Sequence, residues 1–118
     1  MPTLELTDRE LIVHLGFWEK LAALHASIRV PLANVRGATD DEGYGGADMG
    51  LRAPGTYLPG VIAAGTYHKK GDRQFVYISG KAHPVVIELA NERFARIVVG
   101  VADARATADK INAALRKA

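Results

Sequence analysis

The fold is decided by residues 61–101, which read VIAAGTYHKKGDRQFVYISGKAHPVVIELANERFARIVVGV. Four segments of this stretch are rich in valine, isoleucine and aromatic residues and alternate as strands do, namely 61–68, 74–78, 84–89 and 95–101. Short connections at 69–72, 79–82 and 90–93 separate them, and each contains a glycine or an asparagine. Three successive hairpins of this kind predict an antiparallel meander.

The alternation within these strands also assigns side chains to the two faces of the sheet. Phe75 and Tyr77 lie on one face, and Val76 lies on the other. In the last strand the inward side is predicted for Ala95, Ile97, Val99 and Val101, with Arg96 pointing outward.

A helix over residues 103–116 follows the meander. Asp103 is a suitable N-cap, and late basic residues complement the helix dipole. Its apolar stripe consists of Ala104, Ala108, Ile111 and Leu115. We expect this stripe to pack on the sheet.

The N-terminal third is predicted to contain two short strands and a short helix. Residues 10–15 and 27–30 are predicted strands, and the second ends at Pro31, which cannot donate to a sheet ladder. Residues 17–25 change to helical spacing, which predicts one or two turns.

Residues 39–60 are predicted to be an irregular loop, because glycine and proline interrupt every part of them.

With about seven strands and one closing helix, the chain is expected to be a single mainly β domain over residues 1–118.

The composition is that of an ordinary globular domain. Of 118 residues, 48% are hydrophobic and 24% charged, and 15 basic against 13 acidic side chains leave a net charge of only +2, which argues against nucleic-acid binding. The absence of cysteine excludes disulfides and thiolate metal sites. No signal-peptide pattern and no apolar run near ~20 residues occur, so we expect a cytoplasmic protein.

Three segments resemble a known family. They are the strand and Pro-Leu step at 28–35, the Gly-x-Tyr to Glu-Leu centre at 65–89, and the closing strand with its helix cap at 97–103. Together they resemble bacterial pleckstrin-homology-like proteins. The resemblance implies a barrel of two near-orthogonal antiparallel sheets capped by the C-terminal helix, and an adaptor or assembly role.

Catalytic and metal-binding patterns are missing from the sequence. The histidines His14, His25, His68 and His83 do not form a metal-ligand motif, and neither serine lies in a nucleophile elbow. The acidic residues Asp40, Asp41, Glu42 and Asp48 lack the spacing of a calcium loop. We therefore expect a protein that is not an enzyme and uses no cofactor or metal.

Basic residues near two of the turns are candidates for anion binding. Lys69, Lys70 and Arg73 flank the first turn, and Arg93 could join them from another. Asp72 and Glu92 partly neutralise this group, so an ordinary polar turn is the preferred interpretation. The inositide-binding pattern of the resembled family is matched only loosely by Lys20 and Arg29, and Pro31 replaces its arginine.

Partner contacts are predicted for Trp18, Tyr44 and Tyr57, although packing in the core is the simplest role for Trp18. Residues 61–68 form a strand with little protection against edge pairing, since no charge or proline interrupts 61–67. If that strand is an edge, another subunit or residues 39–60 should cover it.

These observations favour a non-enzymatic interaction or assembly module that acts through surface or sheet-edge contacts, with a protein partner or a second copy. One alternative is a small-molecule carrier or enzyme with a pocket in the barrel. Another is a peripheral membrane protein that binds anionic headgroups through the basic turn at 69–73.

Overall fold

The computed structural model of the chain describes residues 2–44, 51–58 and 61–117, with the backbone alone described for 51–54. Along the chain the elements are β1 (Thr3–Leu6), β2 (Glu10–His14), α1 (Phe17–Ala23), β3 (Ile28–Pro31), a 3-10 turn (Leu32–Asn34), β4 (Val35–Asp40), β5 (Leu51–Leu58), β6 (Ile62–Lys69), β7 (Asp72–Ser79), β8 (His83–Leu89), β9 (Arg96–Val101) and α2 (Ala104–Lys117).

The strands form two sheets. One has the order β1-β2-β3, and the other has the order β4-β8-β9-β7-β6-β5. The prediction of a mainly β fold with a C-terminal helix is confirmed, but the described residues form nine strands rather than about seven, and the two sheets do not close into a barrel.

The predicted meander is wrong in one pairing. β9 lies between β7 and β8, antiparallel to β8 and parallel to β7, so β7 and β8 are not a hairpin. Their connection, residues 80–82, passes over Gly100, where an added Cβ would lie 2.6 Å from the Cβ of Ala82. Side-chain alternation is the same for a strand beside its sequence neighbour and for an inserted one, so the pattern could not distinguish the two arrangements.

The predicted faces of the strands are confirmed. Phe75 and Tyr77 point into the main core, and we call the side of the six-stranded sheet that faces this core the inner face. Val76 packs in a second cluster on the opposite side, the outer face. Ile97 and Val99 also belong to the main core.

α2 closes the inner face. The carboxylate of Asp103 accepts the N–H of Ala106 at 3.0 Å, which confirms the predicted cap. The predicted stripe is buried or packed against the core, namely Ala104, Ala108, Ile111 and Leu115.

The prediction of an irregular loop over residues 39–60 is wrong for residues 51–58, which form β5, and for residues 39 and 40, which end β4. A register shift between Arg52 and Gly55 accommodates Pro54 in a strand. Gly55 is required there because a Cβ would lie 2.1 Å from the carbonyl oxygen of Ala64. Residues 41–44 belong to neither a helix nor a strand, as predicted, whereas residues 45–50, which include Asp48, and residues 59–60 lie outside the described residues.

β6, predicted as an unprotected strand, is not an edge. Residues 51–58 pair with one side of it and β7 with the other. The edges of the six-stranded sheet are instead β5 and β4, its two outer strands, and pairing with another chain would have to occur there.

Candidate functional site

The short helix α1 is held on the inner face of the sheet by its small side chains. Its N-terminus is capped by Glu19, whose carboxylate accepts the N–H of Gly16 at 2.7 Å. The Thr56 hydroxyl of β5 donates to the carbonyl oxygen of Ala22 at 2.8 Å, and Ala23 is fully buried. The helix thus turns its alanines toward the protein.

The large apolar side chains of α1 and its C-cap point the other way. The exposed fractions are 69% for Phe17, 77% for Trp18, 49% for Leu21 and 60% for Leu24. At 100° per residue, Phe17, Trp18 and Leu21 lie about 120–160° around the helix from Ala23, so burying Ala23 leaves them in solvent. Leu24 is the C-cap in the left-handed conformation, and its exposure follows from the end of the helix. The expectation that Trp18 packs in the core is therefore wrong, whereas its prediction as a partner contact is compatible with this exposure.

The orientation of α1 places Phe17 and Trp18, at its N-terminus, toward the connection between β5 and β6. Burial raises the pKa of the Tyr77 hydroxyl above its usual value, and the charge of Glu19 near it raises that pKa further. The His25 ring, at the other end of α1, lies 5.4 Å from that of Phe75. Thr56, which donates to Ala22, is in register with Ala64 and through it with Tyr77, two residues beyond Phe75 along β7. α1 therefore runs antiparallel to β7, with its N-terminus toward the end where β6 begins.

Two further exposed apolar residues lie at this end. Leu58 ends β5 on the same face as Thr56, and the N–H of Val61 donates to the carbonyl oxygen of Leu58 at 2.9 Å. We call the following set the apolar surface: Phe17, Trp18, Leu21, Leu24 and Leu58. Among the described side chains, the other exposed large hydrophobic residues are Tyr57, on the opposite face of β5, and Val61, in the turn before β6.

A polar cavity of about 310 Å³ lies on the outer face of the six-stranded sheet. Its walls include Asp41, Tyr44, Lys69, Lys70, Asp72, Gln74, Val86, Glu88 and Arg96. Register explains the grouping, since Arg96 of β9 is directly opposite both Glu88 of β8 and Gln74 of β7. Gln74 is fully buried and accepts a hydrogen bond from Tyr44 at 2.6 Å.

The structure brings together only part of the predicted anion site. Lys69 and Lys70 line the cavity, but Arg73 and Arg93 do not. Arg73 alternates with Gln74 along β7 and so points to the opposite face of the sheet.

Arg96 joins the cavity instead, and its Nε lies 3.5 Å from the Glu88 carboxylate. The sequence marked Arg96 as outward, but only the parallel pairing of β7 with β9 reveals its neighbours. Three acidic side chains offset the three basic ones in this cavity, so its charge does not select an anion.

A second cavity, of about 270 Å³, lies between β1 and α2. Leu4, Leu6 and Ile111 form its apolar side, and Thr107 and Lys110 form its polar side. Neither cavity lies inside a closed barrel.

The histidines form separate contacts. His14 Nε2 lies 2.6 Å from Glu5 Oε1, and His83 Nδ1 lies 2.7 Å from Glu42 Oε1, at different places on the surface. Over residues 2–44, 51–58 and 61–117, no three histidine or acidic side chains come together in a group that could hold a metal ion.

The free edges of the larger sheet are both obstructed. β5 contains Pro54, which has no N–H, and a register shift beside it. At β4, the Asn112 side chain of α2 pairs with the backbone of Ala38. Contacts through the apolar surface are therefore better supported than pairing at these edges.

No family model, curated protein or solved structure matches this chain. In the described part of the chain, no helix has both the length and the apolar character needed to cross a membrane.

Proposed function

We propose that this domain is a non-enzymatic protein-interaction module that binds its partner through the apolar surface. The observation that carries the proposal is the orientation of α1, which buries Ala23 and exposes Phe17, Trp18, Leu21 and Leu24. A helix whose only role was to complete the core would present its large side chains to the sheet. Clustered exposed apolar residues of this kind mark interaction sites.

The two aromatic residues support a contact role. The rings of Phe17 and Trp18 pack edge to face, with centroids 5.1 Å apart and an interplanar angle of 79°. Because each ring restricts the other, a partner that buries them has less conformational freedom to remove. Tryptophan is also among the residue types that carry most binding energy at interfaces.

The other functions have less support from the molecule. The main core is filled by packed side chains, the polar cavity lies on the outer face of the sheet, and the second cavity lies at the margin of the core, which disfavours a carrier of the barrel type. The resemblance to pleckstrin-homology-like proteins would add adaptor roles as a precedent, and a cytoplasmic location would suit a cysteine-free chain. Both remain proposals on which the present one does not depend.

A photo-crosslinking experiment in the source cells tests the proposal. A photoreactive phenylalanine analogue is introduced at Phe17 in one variant and at Ala106, on the exposed side of α2, in a matched control. We expect irradiation to attach a defined protein, identified by mass spectrometry, at position 17 and not at position 106. Equal crosslinking at both positions, or none at position 17, would overturn the proposal.

A further inference from the structure

We infer that the partner of the apolar surface is a second copy of this chain, bound about a twofold axis that brings the two α1 helices together. This inference rests on the proposed function, because it specifies what the interaction module binds. Three properties of the surface lead to it, namely its area, its place as the largest set of exposed hydrophobic residues among the described side chains, and its distance from the basic turn.

The area of the surface is that of half an interface. From their exposed fractions, its five side chains present on the order of 500 Å² of apolar area. A standard interface buries ~800 Å² per partner, of which ~60% is apolar. Two copies of this surface therefore supply the apolar part of one stable dimer interface, and the polar residues around it supply the rim.

The surface is the largest set of exposed hydrophobic residues among the described side chains, since only Tyr57 and Val61 are exposed large hydrophobic residues outside it. Within that part of the chain, the largest exposed apolar complement on another copy is therefore the same surface. Contact between identical surfaces is isologous and closes after two subunits, whereas contact between two different surfaces produces rings or filaments. Self-contact through this surface therefore gives a closed dimer.

A lipid surface is a poorer occupant. The basic turn that could attract anionic headgroups begins at Lys69, at the opposite end of β6 from Ile62 and the apolar surface. Seven residue steps of ~3.3 Å separate these ends by about 23 Å. A membrane that accepted Phe17 and Trp18 would leave Lys69 and Lys70 well away from its surface.

The dimer also suits the shape of α1. The helix has seven residues and is therefore about 10 Å long. Lys20 is exposed beside the apolar side chains, where its long stem can reach solvent at the rim of the interface. Trp18, the most exposed member, would lie near the centre, and it is the only tryptophan in the chain.

Sedimentation equilibrium of the full chain tests the inference. We expect twice the chain mass of 12.7 kDa, with no larger species as the concentration rises. Leu21→Asp should weaken dimerisation on the order of 30-fold or more, because it places a charge in the apolar contact. Ala106→Asp adds the same charge to an exposed site on α2 and should remain a dimer.

Two further measurements make the result decisive. Circular dichroism should be the same for both variants, and Trp18 emission should shift to longer wavelength as the wild-type protein is diluted. Wild-type protein that stays monomeric, or that grows beyond a dimer, overturns the inference. If it is monomeric and position 17 crosslinks to another protein, the interaction function stands and only the dimer is wrong.

The dimer and the interaction function can also both be wrong, and the two experiments together show this. Monomeric protein with no crosslink at position 17 removes the interaction function as well. A third outcome would overturn the dimer in favour of lipid. In that case the wild-type protein sediments with vesicles of phosphatidylcholine and phosphatidylserine, and Leu21→Asp abolishes this sedimentation.

Discussion

The side-chain amide of Asn112 forms a pair of hydrogen bonds with the backbone of Ala38. Its Nδ2 donates to the carbonyl oxygen of Ala38 at 2.8 Å, and the N–H of Ala38 donates to its Oδ1 at 2.9 Å. An amide has the same donor and acceptor as a peptide group, so Asn112 takes the place of a neighbouring strand at the free edge of β4. The helix thereby satisfies backbone groups that would otherwise be open to another chain.

Replacing Asn112 with alanine should leave both backbone groups of Ala38 without their partner. We expect the free energy of unfolding to fall by ~1–3 kcal/mol, because both groups are partly buried. Chemical denaturation of Asn112→Ala measures the loss, and Asp109→Ala, at an exposed position of the same helix, is the control. Equal midpoints for the two variants would show that the amide pair does not stabilise the edge.

Ile111 is the most deeply buried side chain of α2, with 1% of its surface exposed. Ile111→Ala removes methyl and methylene groups from the core and should lower stability by ~2–4 kcal/mol, the cost of lost burial and a residual cavity. The change in the denaturant midpoint measures this, with Lys110→Ala as the surface control. An unchanged midpoint would contradict the packing of α2 on the sheet.

The inserted position of β9 can be tested at Gly100. Gly100→Ala should destabilise the protein by ~1–3 kcal/mol, because the new methyl group would lie 2.6 Å from the Cβ of Ala82. Adding Ala82→Gly removes that contact, so the double variant should recover part of the loss. Atoms of Ile78 at 3.2 and 3.3 Å prevent complete recovery.

A double-mutant cycle of these two positions gives the coupling energy. Strictly additive effects of Gly100→Ala and Ala82→Gly would mean that residues 80–82 do not pass over β9, and the strand order would have to be revised.

The pKa of Tyr77 predicts how stability responds to alkaline pH. Burial raises this pKa above its usual 10.0, and the charge of Glu19 raises it further. Above pH 10.0 the unfolded chain therefore loses the Tyr77 proton before the folded chain does, and stability declines as pH rises through the folded-state pKa. Below pH 10.0 Tyr77 is neutral in both states and makes no pH-dependent contribution.

Urea unfolding between pH 8 and pH 11.5 measures this decline. Tyr77→Phe should show a shallower loss of stability above pH 10.0 than wild type, and Tyr57→Phe removes a hydroxyl at an exposed site as the matched control. Parallel curves for wild type and Tyr77→Phe would exclude Tyr77 as the group responsible.

Much of the local structure could be predicted from the sequence. Alternation placed Phe75 and Tyr77 on the face opposite Val76, and helical spacing identified the buried stripe that contains Ile111. Periodicity succeeds here because a side chain's direction follows from its position in a strand or helix. The missed strand β5 shows where this fails, since Pro54 and Gly55 are typical of loops and are tolerated in β5 through a register shift.

The composition of the polar cavity and the exposure of α1 could not be predicted from local sequence pattern, because both depend on which elements are neighbours in space. Lys69 and Lys70 were identified as a basic turn, but their neighbour Arg96 became visible only when β9 was placed beside β7. For Trp18 the sequence allowed both a partner contact and packing in the core, and only the orientation of α1 excludes the core.

The sequence by itself determined the periodicities of this protein, and with them the type and face of most elements, because these depend on interactions between residues a few positions apart. Tertiary structure alone decided which strands are neighbours and which side of α1 faces inward. The order of β8, β9 and β7 depends on long-range backbone pairing that leaves the alternation unchanged. The orientation of α1 depends on the close approach that Ala22 and Ala23 allow to the sheet, which leaves Phe17 and Trp18 in solvent.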